Sequence, residues 1–262
     1  MKKLIFIFFV VAFCLGCQEK QPPKPELQIP TEIIDLGMLV TEDLPEKIWG
    51  KNAMLMMGFE KSNQFDIRRW NISNIAGSNA YYTLFNHGGT HLDGPNHMGF
   101  AGGIDSYPVE KFVGPLKVFD VSGYPKGRTI PVEVFKGKVL PGDVVLIYTN
   151  WTPPMKEFTT PEFIALTHKA AEYLAQIPVR AFCTEAFSAD CFGETNDPIV
   201  TDSETAKGAP IHHSFLSRSI PIYEGLVNVE KLLNKQNMLF AGVPINIKDG
   251  DGILVRPVVF VY

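Results

Sequence analysis

From His87 to His97 the chain reads His-Gly-Gly-Thr-His-Leu-Asp-Gly-Pro-Asn-His, three imidazoles and one carboxylate along a single short stretch. Imidazole nitrogen and carboxylate oxygen are the donors that Zn²⁺ and similar divalent cations prefer. His87 and His91 stand four apart, a spacing that would share one face of a helix. Gly88, Gly89, Gly94 and Pro95 argue against that reading, because so many breakers do not sit in a helix. The preceding segment, Ala80 to Asn86, is rich in β-formers and reads as a strand. His87, His91 and Asp93 are therefore expected on a tight loop leaving that strand, where glycine lets the backbone curl around an ion. Taken singly, each has an ordinary alternative, since Asp commonly satisfies turn backbone groups. It is the constellation that points to metal chemistry.

The elements that must position these residues are mostly strands. Phe65 to Ile72 and Ala80 to Asn86 read as strands around a Gly77-Ser78-Asn79 turn. Leu116 to Val121, Asp143 to Thr149, Val179 to Thr184, Met238 to Val243 and Ile253 to Tyr262 read the same way. The clearest helix is expected from Thr159, with Thr159 and Glu162 as a capping box and Pro161 in the first turn. Phe163, Leu166, Ala170, Tyr173 or Leu174, and Ile177 then recur at helical spacing and define a face expected to be buried. His168 falls off that face and reads as a solvated histidine. Strands dominate and helices are few, an α/β pattern with a mixed sheet.

The chain has 262 residues, 45% of them hydrophobic, enough for one substantial core, and residues 32–262 read as a single domain. Its N-terminus is separable. Lys2-Lys3 precedes an apolar run from Leu4 to Leu15, too short to span a bilayer as a helix and suited to a signal-peptide core. Residues 1–16 thus read as a signal peptide. Gly16-Cys17 resembles the lipobox of bacterial lipoproteins, with Cys17 as the lipidated residue; Cys14, where such boxes usually carry Leu, is a departure. Residues 17–31, with prolines at 22, 23, 25 and 30, read as an extended tether from that lipid anchor. The expected location is the bacterial cell envelope, attached to a membrane through lipid alone. A net charge of −4 gives no electrostatic case for nucleic acid. Cys183 and Cys191 are the thiols left in the domain, and an oxidising compartment permits a disulfide between them. Two buried free thiols fit as well.

The pattern H-x-G-T-H-x-D-x-P-x-H, filled at every fixed position, resembles the signature of the cyclase-like metal-dependent hydrolases. That family includes bacterial kynurenine formamidase, isatin hydrolase and proteins described as polyketide cyclases. Ile34-Asp35-Leu36 resembles its opening strand, and Pro141-Gly142-Asp143 with Thr149-Asn150-Trp151 resembles its PGDxxLxxTxW strand. His212, followed by Phe215-Leu216 and then Glu224-Gly225-Leu226, matches the spacing of the family's remaining two ligands. The resemblance implies a swivelling β/β/α architecture and metal ligands in His87, His91 and Asp93, with Asp93 bridging to a second ion held by His212 and Glu224. It makes His97 an acid–base group, with a fourth metal ligand as the alternative, and it places Trp49 over the substrate. His213 competes with His212 for the ligand role, and the family-like spacing favours His212. Trp70, Tyr81 and Tyr82 are weaker candidates for the pocket wall.

The expected activity is hydrolysis of a C–N bond (amide, formamide, cyclic imide or lactam) or a C–O bond (lactone or ester) in a small cyclic or aromatic compound. Metal-activated water would attack while His97 moves protons. Ser188 and Cys183 lack a nucleophile-elbow context, so covalent catalysis has little support. The N/O donor set suits Zn²⁺ first, with Mn²⁺ or Fe²⁺ as alternatives, as one ion or two. Relatives in this family imply a homodimer or homotetramer. The alternative function is a non-catalytic, metal-containing lipoprotein that binds a small molecule.

Overall fold

The computed structural model describes residues 28–41, 43–44, 46–48, 50, 65–71, 78–155, 162–191 and 209–262. The leader with Cys17, and Trp49, lie outside the described residues. Nine strands form one mixed sheet in the order β1-β13-β11-β5-β7-β9-β10-β4-β12. Its middle is parallel: β5 (Val113–Asp120), β7 (Val144–Tyr148), β9 (Ala181–Thr184) and β10 (Ile222–Glu224). One flank is antiparallel, through β11 (Met238–Ala241), β13 (Val258–Val261) and β1 (Glu32–Asp35). The other flank pairs β10 with β4 (His91–Asp93) and β4 with β12 (Gly252–Leu254), again antiparallel.

β7 is an unbroken apolar run because both of its faces are covered, as central parallel strands require. Val145 and Ile147 face one core; Val144 and Leu146 face the other. Helix α1 (His168–Gln176) and helix α2 (Pro210–Leu216) cover the first of these faces. Ala170, Ala171 and Leu174 supply the apolar side of α1, and Ile211, Phe215 and Leu216 that of α2. Phe182 of β9 stacks on Phe215 with ring centroids 4.8 Å apart, a contact worth about 1 kcal/mol beyond its buried area.

The helix expected from Thr159 differs from what is found. Thr159 to Pro161 lie outside the described residues, and Ile164–Leu166 form a strand, β8, paired in parallel with β6 (Gly127–Ile130). α1 begins only at His168, where the Thr167 hydroxyl caps it by accepting from the Ala170 amide at 3.2 Å. A partner strand far away in sequence thus overrides the helical spacing of Phe163 and Leu166. His168 sits at the start of α1 with its ring 3.8 Å from Glu172. The Ile253 to Tyr262 run is split into β12 and β13, and β13 pairs with β11 and β1 on the opposite flank from β12.

β2 (Phe65–Asn71) and β3 (Ser78–Leu84) make a separate two-stranded ribbon. Trp70, Tyr81 and Tyr82 lie exposed on it, with the rings of Trp70 and Tyr81 5.0 Å apart; none of the three lines the cavity described below. Cys183 and Cys191 are buried, separate thiols, and burial pushes the Cys183 thiol well up, so it is no ready nucleophile.

Candidate metal centre

β4 explains the His-x-Asp spacing. Successive strand residues point to opposite faces, so His91 and Asp93 share one face while Leu92 enters the core behind the sheet. This corrects the expectation of a loop: only His87 sits in the turn, and His91 and Asp93 are sheet residues paired on both sides. Register then sets Glu224 directly opposite His91 and Gly252 directly opposite Asp93. Gly252 leaves the space His87 occupies, for a Cβ there would lie 2.4 Å from His87 Nε2. α2 delivers His212 from above the same face, whereas His213 turns away and meets Phe100 edge-on at 5.1 Å.

All five side chains are buried. Asp93 Oδ1 lies 3.2 Å from His87 Nε2 and 3.4 Å from His91 Nε2, and Asp93 Oδ2 lies 3.5 Å from His212 Nε2. Glu224 reaches His91 Nε2 with Oε2 at 3.3 Å and His212 Nε2 with Oε1 at 3.1 Å. Two imidazoles are fixed from behind. His91 Nδ1 bonds the Gly89 carbonyl at 2.8 Å, and His212 Nδ1 bonds Asp190 Oδ2 at 2.8 Å. Both hydrogen bonds put the proton on Nδ1 and turn the bare Nε2 inward, the tautomer a metal ligand needs.

A divalent cation fits this cluster. His87 Nε2 and both Asp93 oxygens are buried without a hydrogen-bond partner, which a folded protein tolerates only where something else satisfies them. His87, His91 and Asp93 offer donor atoms within 4.8 Å of one another, and so do Asp93, His97 and His212. Burial disfavours charge on Asp93, yet the imidazoles of His91, His212 and His87 overcome it and hold the carboxyl well below its usual range. Burial likewise opposes protons on His91 and His212. Asp93 and Glu224 at His91, and Glu224, Asp190 and Asp93 at His212, outweigh it and raise both. Protons and a cation compete for the same nitrogens, so loading the site releases protons.

Asp190 is a residue that sequence reasoning missed. Besides His212 Nδ1, its carboxylate accepts the backbone amides of Ile211 and His212 at 3.0 to 3.1 Å and lies 3.3 Å from Arg128 Nε. Nothing in Ser188-Ala189-Asp190 sets this acid apart by type; only the fold brings it to His212. Asp190→Asn should weaken metal affinity by about 10–100-fold, the usual cost of losing such a support. Competition with a chelator measures it, with circular dichroism as the check on folding.

The cluster floors a cavity of about 380 Å³. Phe85, Met98, Phe187 and Ala209 give it apolar walls, and Asn86, Ser188 and Asp251 add polar points. That size and mixture suit a small ring compound. His97 stands at its mouth on the short 3₁₀ turn Pro95–Met98. Its ring stacks on His87 at 4.5 Å and lies 5.6 Å from His212. Burial lowers its pKa, with His87 and His212 adding to the effect and Asp93 and Glu224 opposing it, so at neutral pH the ring is free to accept a proton.

Another buried acid lies elsewhere. Glu185, just past β9, accepts hydrogen bonds from the Trp151 amide and the Thr149 hydroxyl, and burial pushes its carboxyl up to about 7. Between the ordinary value of 4.5 and about 7 the folded state holds a proton that the unfolded chain has released. Stability contributed by this group therefore falls as pH rises through that window. Glu185→Gln, which still accepts both bonds, should flatten thermal stability between pH 5 and 8. Above pH 7 it should exceed the parent by something on the order of 2 kcal/mol, allowing for residual solvent access.

The family model described as "Putative cyclase" matches residues 34–191. The chain belongs to the cyclase family. Among its relatives, this cyclase-family chain is 27% identical over 177 residues to a kynurenine formamidase of Salinibacter ruber, covering 67% of this chain and 76% of that one. Its fold is similar to isatin hydrolase A of Labrenzia aggregata, with a TM-score of 0.67 at 21% identity over 88% of this chain and 93% of the other. It is also similar to a predicted metal-dependent hydrolase of Bacillus stearothermophilus, with a TM-score of 0.60 at 23% identity, covering 87% and 98%. The mixed sheet with few helices is the architecture shared with these structures.

Proposed function

We propose that this cyclase-family protein is a metal-dependent hydrolase that opens an amide or related acyl bond in a small cyclic or aromatic compound. One observation carries the reading: five imidazole and carboxylate side chains from distant segments form one buried cluster, with both Asp93 oxygens lacking hydrogen-bond partners. Support also comes from relatives whose names describe a formamidase, an isatin hydrolase and a metal-dependent hydrolase. His87, His91 and Asp93 would hold the cation, with His212 and Glu224 completing the set or serving a second ion. Zn²⁺ suits these donors best, and Mn²⁺ or Fe²⁺ are the alternatives.

When bound, such a cation supplies Lewis acidity, making water acidic near neutral pH and polarising a carbonyl. The chain does the rest. Phe85, Met98 and Phe187 pack against the ring of the substrate and exclude bulk water. His97, neutral at rest, takes a proton from the attacking water on one ring nitrogen and returns it to the leaving nitrogen or oxygen as the acyl bond breaks. Asp93 and Glu224 stay ionised throughout, held so by the surrounding imidazoles. Attachment to a membrane through Cys17 and a substrate contact from Trp49 rest on sequence alone. The test is to load the purified protein with Zn²⁺ or Mn²⁺ and incubate it with aryl formamides, cyclic imides and lactones. Turnover of an amide or imide, abolished by chelator, is expected. Saturable binding with no turnover would favour the non-catalytic binder instead.

A further inference from the structure

The segment Asp249–Gly252 is stitched at four points to residues 94–105, two of them in the histidine stretch and two just beyond it. Gly94 N donates to the Asp251 carbonyl at 2.8 Å, and Asn96 Nδ2 donates to the Asp249 carbonyl at 2.9 Å. Ile104 N reaches the Gly250 carbonyl at 2.8 Å, and the Asp249 amide reaches Asp105 Oδ1 at 3.0 Å. The residues on either side of His97 are thus fixed relative to Asp251. The Asp251 side chain is held in turn, for Asn86 Nδ2 donates to its Oδ1 at 2.8 Å. A carboxylate oxygen of Asp251, a ring nitrogen of His97 and a ring nitrogen of His87 all lie within 4.8 Å of one another. Asp251 lines the same cavity as His97.

We propose that Asp251, braced by Asn86, is a positioning residue that pins the His97 imidazole in one tautomer and one orientation. The inference rests on the reading of His97 as the proton-transfer group. The two nitrogens of an imidazole are distinct, and the one carrying the proton is set by the partner of the other. His97 sits at the cavity mouth with rings beside it and no directional partner among its stacking contacts. A ring free to spin there would spend much of its time with the wrong nitrogen facing the substrate. A carboxylate fixed beside it removes that freedom: it accepts the proton of one nitrogen and leaves the other bare for water. Catalytic hydrogen bonds are commonly long before substrate binds and tighten in the complex.

Long-range ¹H–¹⁵N NMR of the zinc-loaded full chain tests this without any substrate. His97 in the parent protein should show one dominant tautomer, Asp251→Asn should show a mixture, and Asn86→Ala should shift the same way by a smaller amount. Metal content should stay at the parent level in both variants. A His97 tautomer unchanged by Asp251→Asn overturns the proposal, as does loss of metal in that variant, which would make Asp251 a ligand. Asn86→Ala decides the matter if Asp251→Asn does not fold. Kinetics on an aryl formamide add a second reading. Asp251→Asn should lower kcat by about 10–100-fold at nearly constant KM, and should cost nothing further in a His97→Ala background. Full turnover by His97→Ala would sink the acid–base role of His97, whereas a crippled His97→Ala with an unaffected Asp251→Asn would sink only the pairing.

Discussion

Asp93→Ala should yield a folded protein that retains no divalent metal after gel filtration and hydrolyses its substrate at least about 10³-fold more slowly, the scale of losing a major electrostatic stabiliser. Asp93 sits at the centre of the cluster: His87 and His91 approach one of its oxygens and His212 the other, whereas Glu224 reaches only His91 and His212. Removing it takes away a donor and one of the two negative charges that balance a divalent ion. His91, raised partly by Asp93, should at the same time lose proton affinity. Elemental analysis of the parent and the variant, purified side by side, checks the first part. Retention of metal at the parent level would mean that the ion binds elsewhere.

His97→Ala should behave differently. Its ring stacks beside the cluster without entering the Nε2–carboxylate contacts that tie the other three histidines together. The variant should keep its metal and lose about 10²–10⁴-fold in kcat, the range for removing a general acid–base group. KM should change little, because the apolar walls that hold the ring of the substrate remain. Single-turnover kinetics with a metal-loaded sample separates this from a binding defect. If the variant empties of metal instead, His97 is a ligand and the proton has another carrier.

How far these residues could be read from sequence depends on the range of the contact that places them. The donors between His87 and His97 are legible by type because they crowd into one stretch. Their backbone was not. Glycine and proline around them suggest a loop, but His91 to Asp93 form a strand because residues 222–224 and 252–254 pair with them on either side. Pairing over such distances leaves no trace in local spacing. The same limit hid Asp190, whose only distinction is that it meets His212 and the start of α2. Asp251 has no neighbour in sequence that marks it, and its place beside His97 depends on clamps between residues 94–105 and 249–251. His212 and Glu224 came through resemblance, since neither has a neighbour that marks it as a ligand. The core strands were easier. Val144 to Tyr148 is apolar throughout because it is covered on both faces, and that pattern is written in the residues themselves.

The most direct test of the central claim is an anomalous-scattering map, collected at the zinc and manganese edges from crystals of protein purified without chelator. The account predicts a peak about 2.0–2.2 Å from His87 Nε2, His91 Nε2 and an Asp93 oxygen, within the normal range for such ligands. A map with no peak between those three side chains, from protein that turns over an amide in the same buffer, would contradict it.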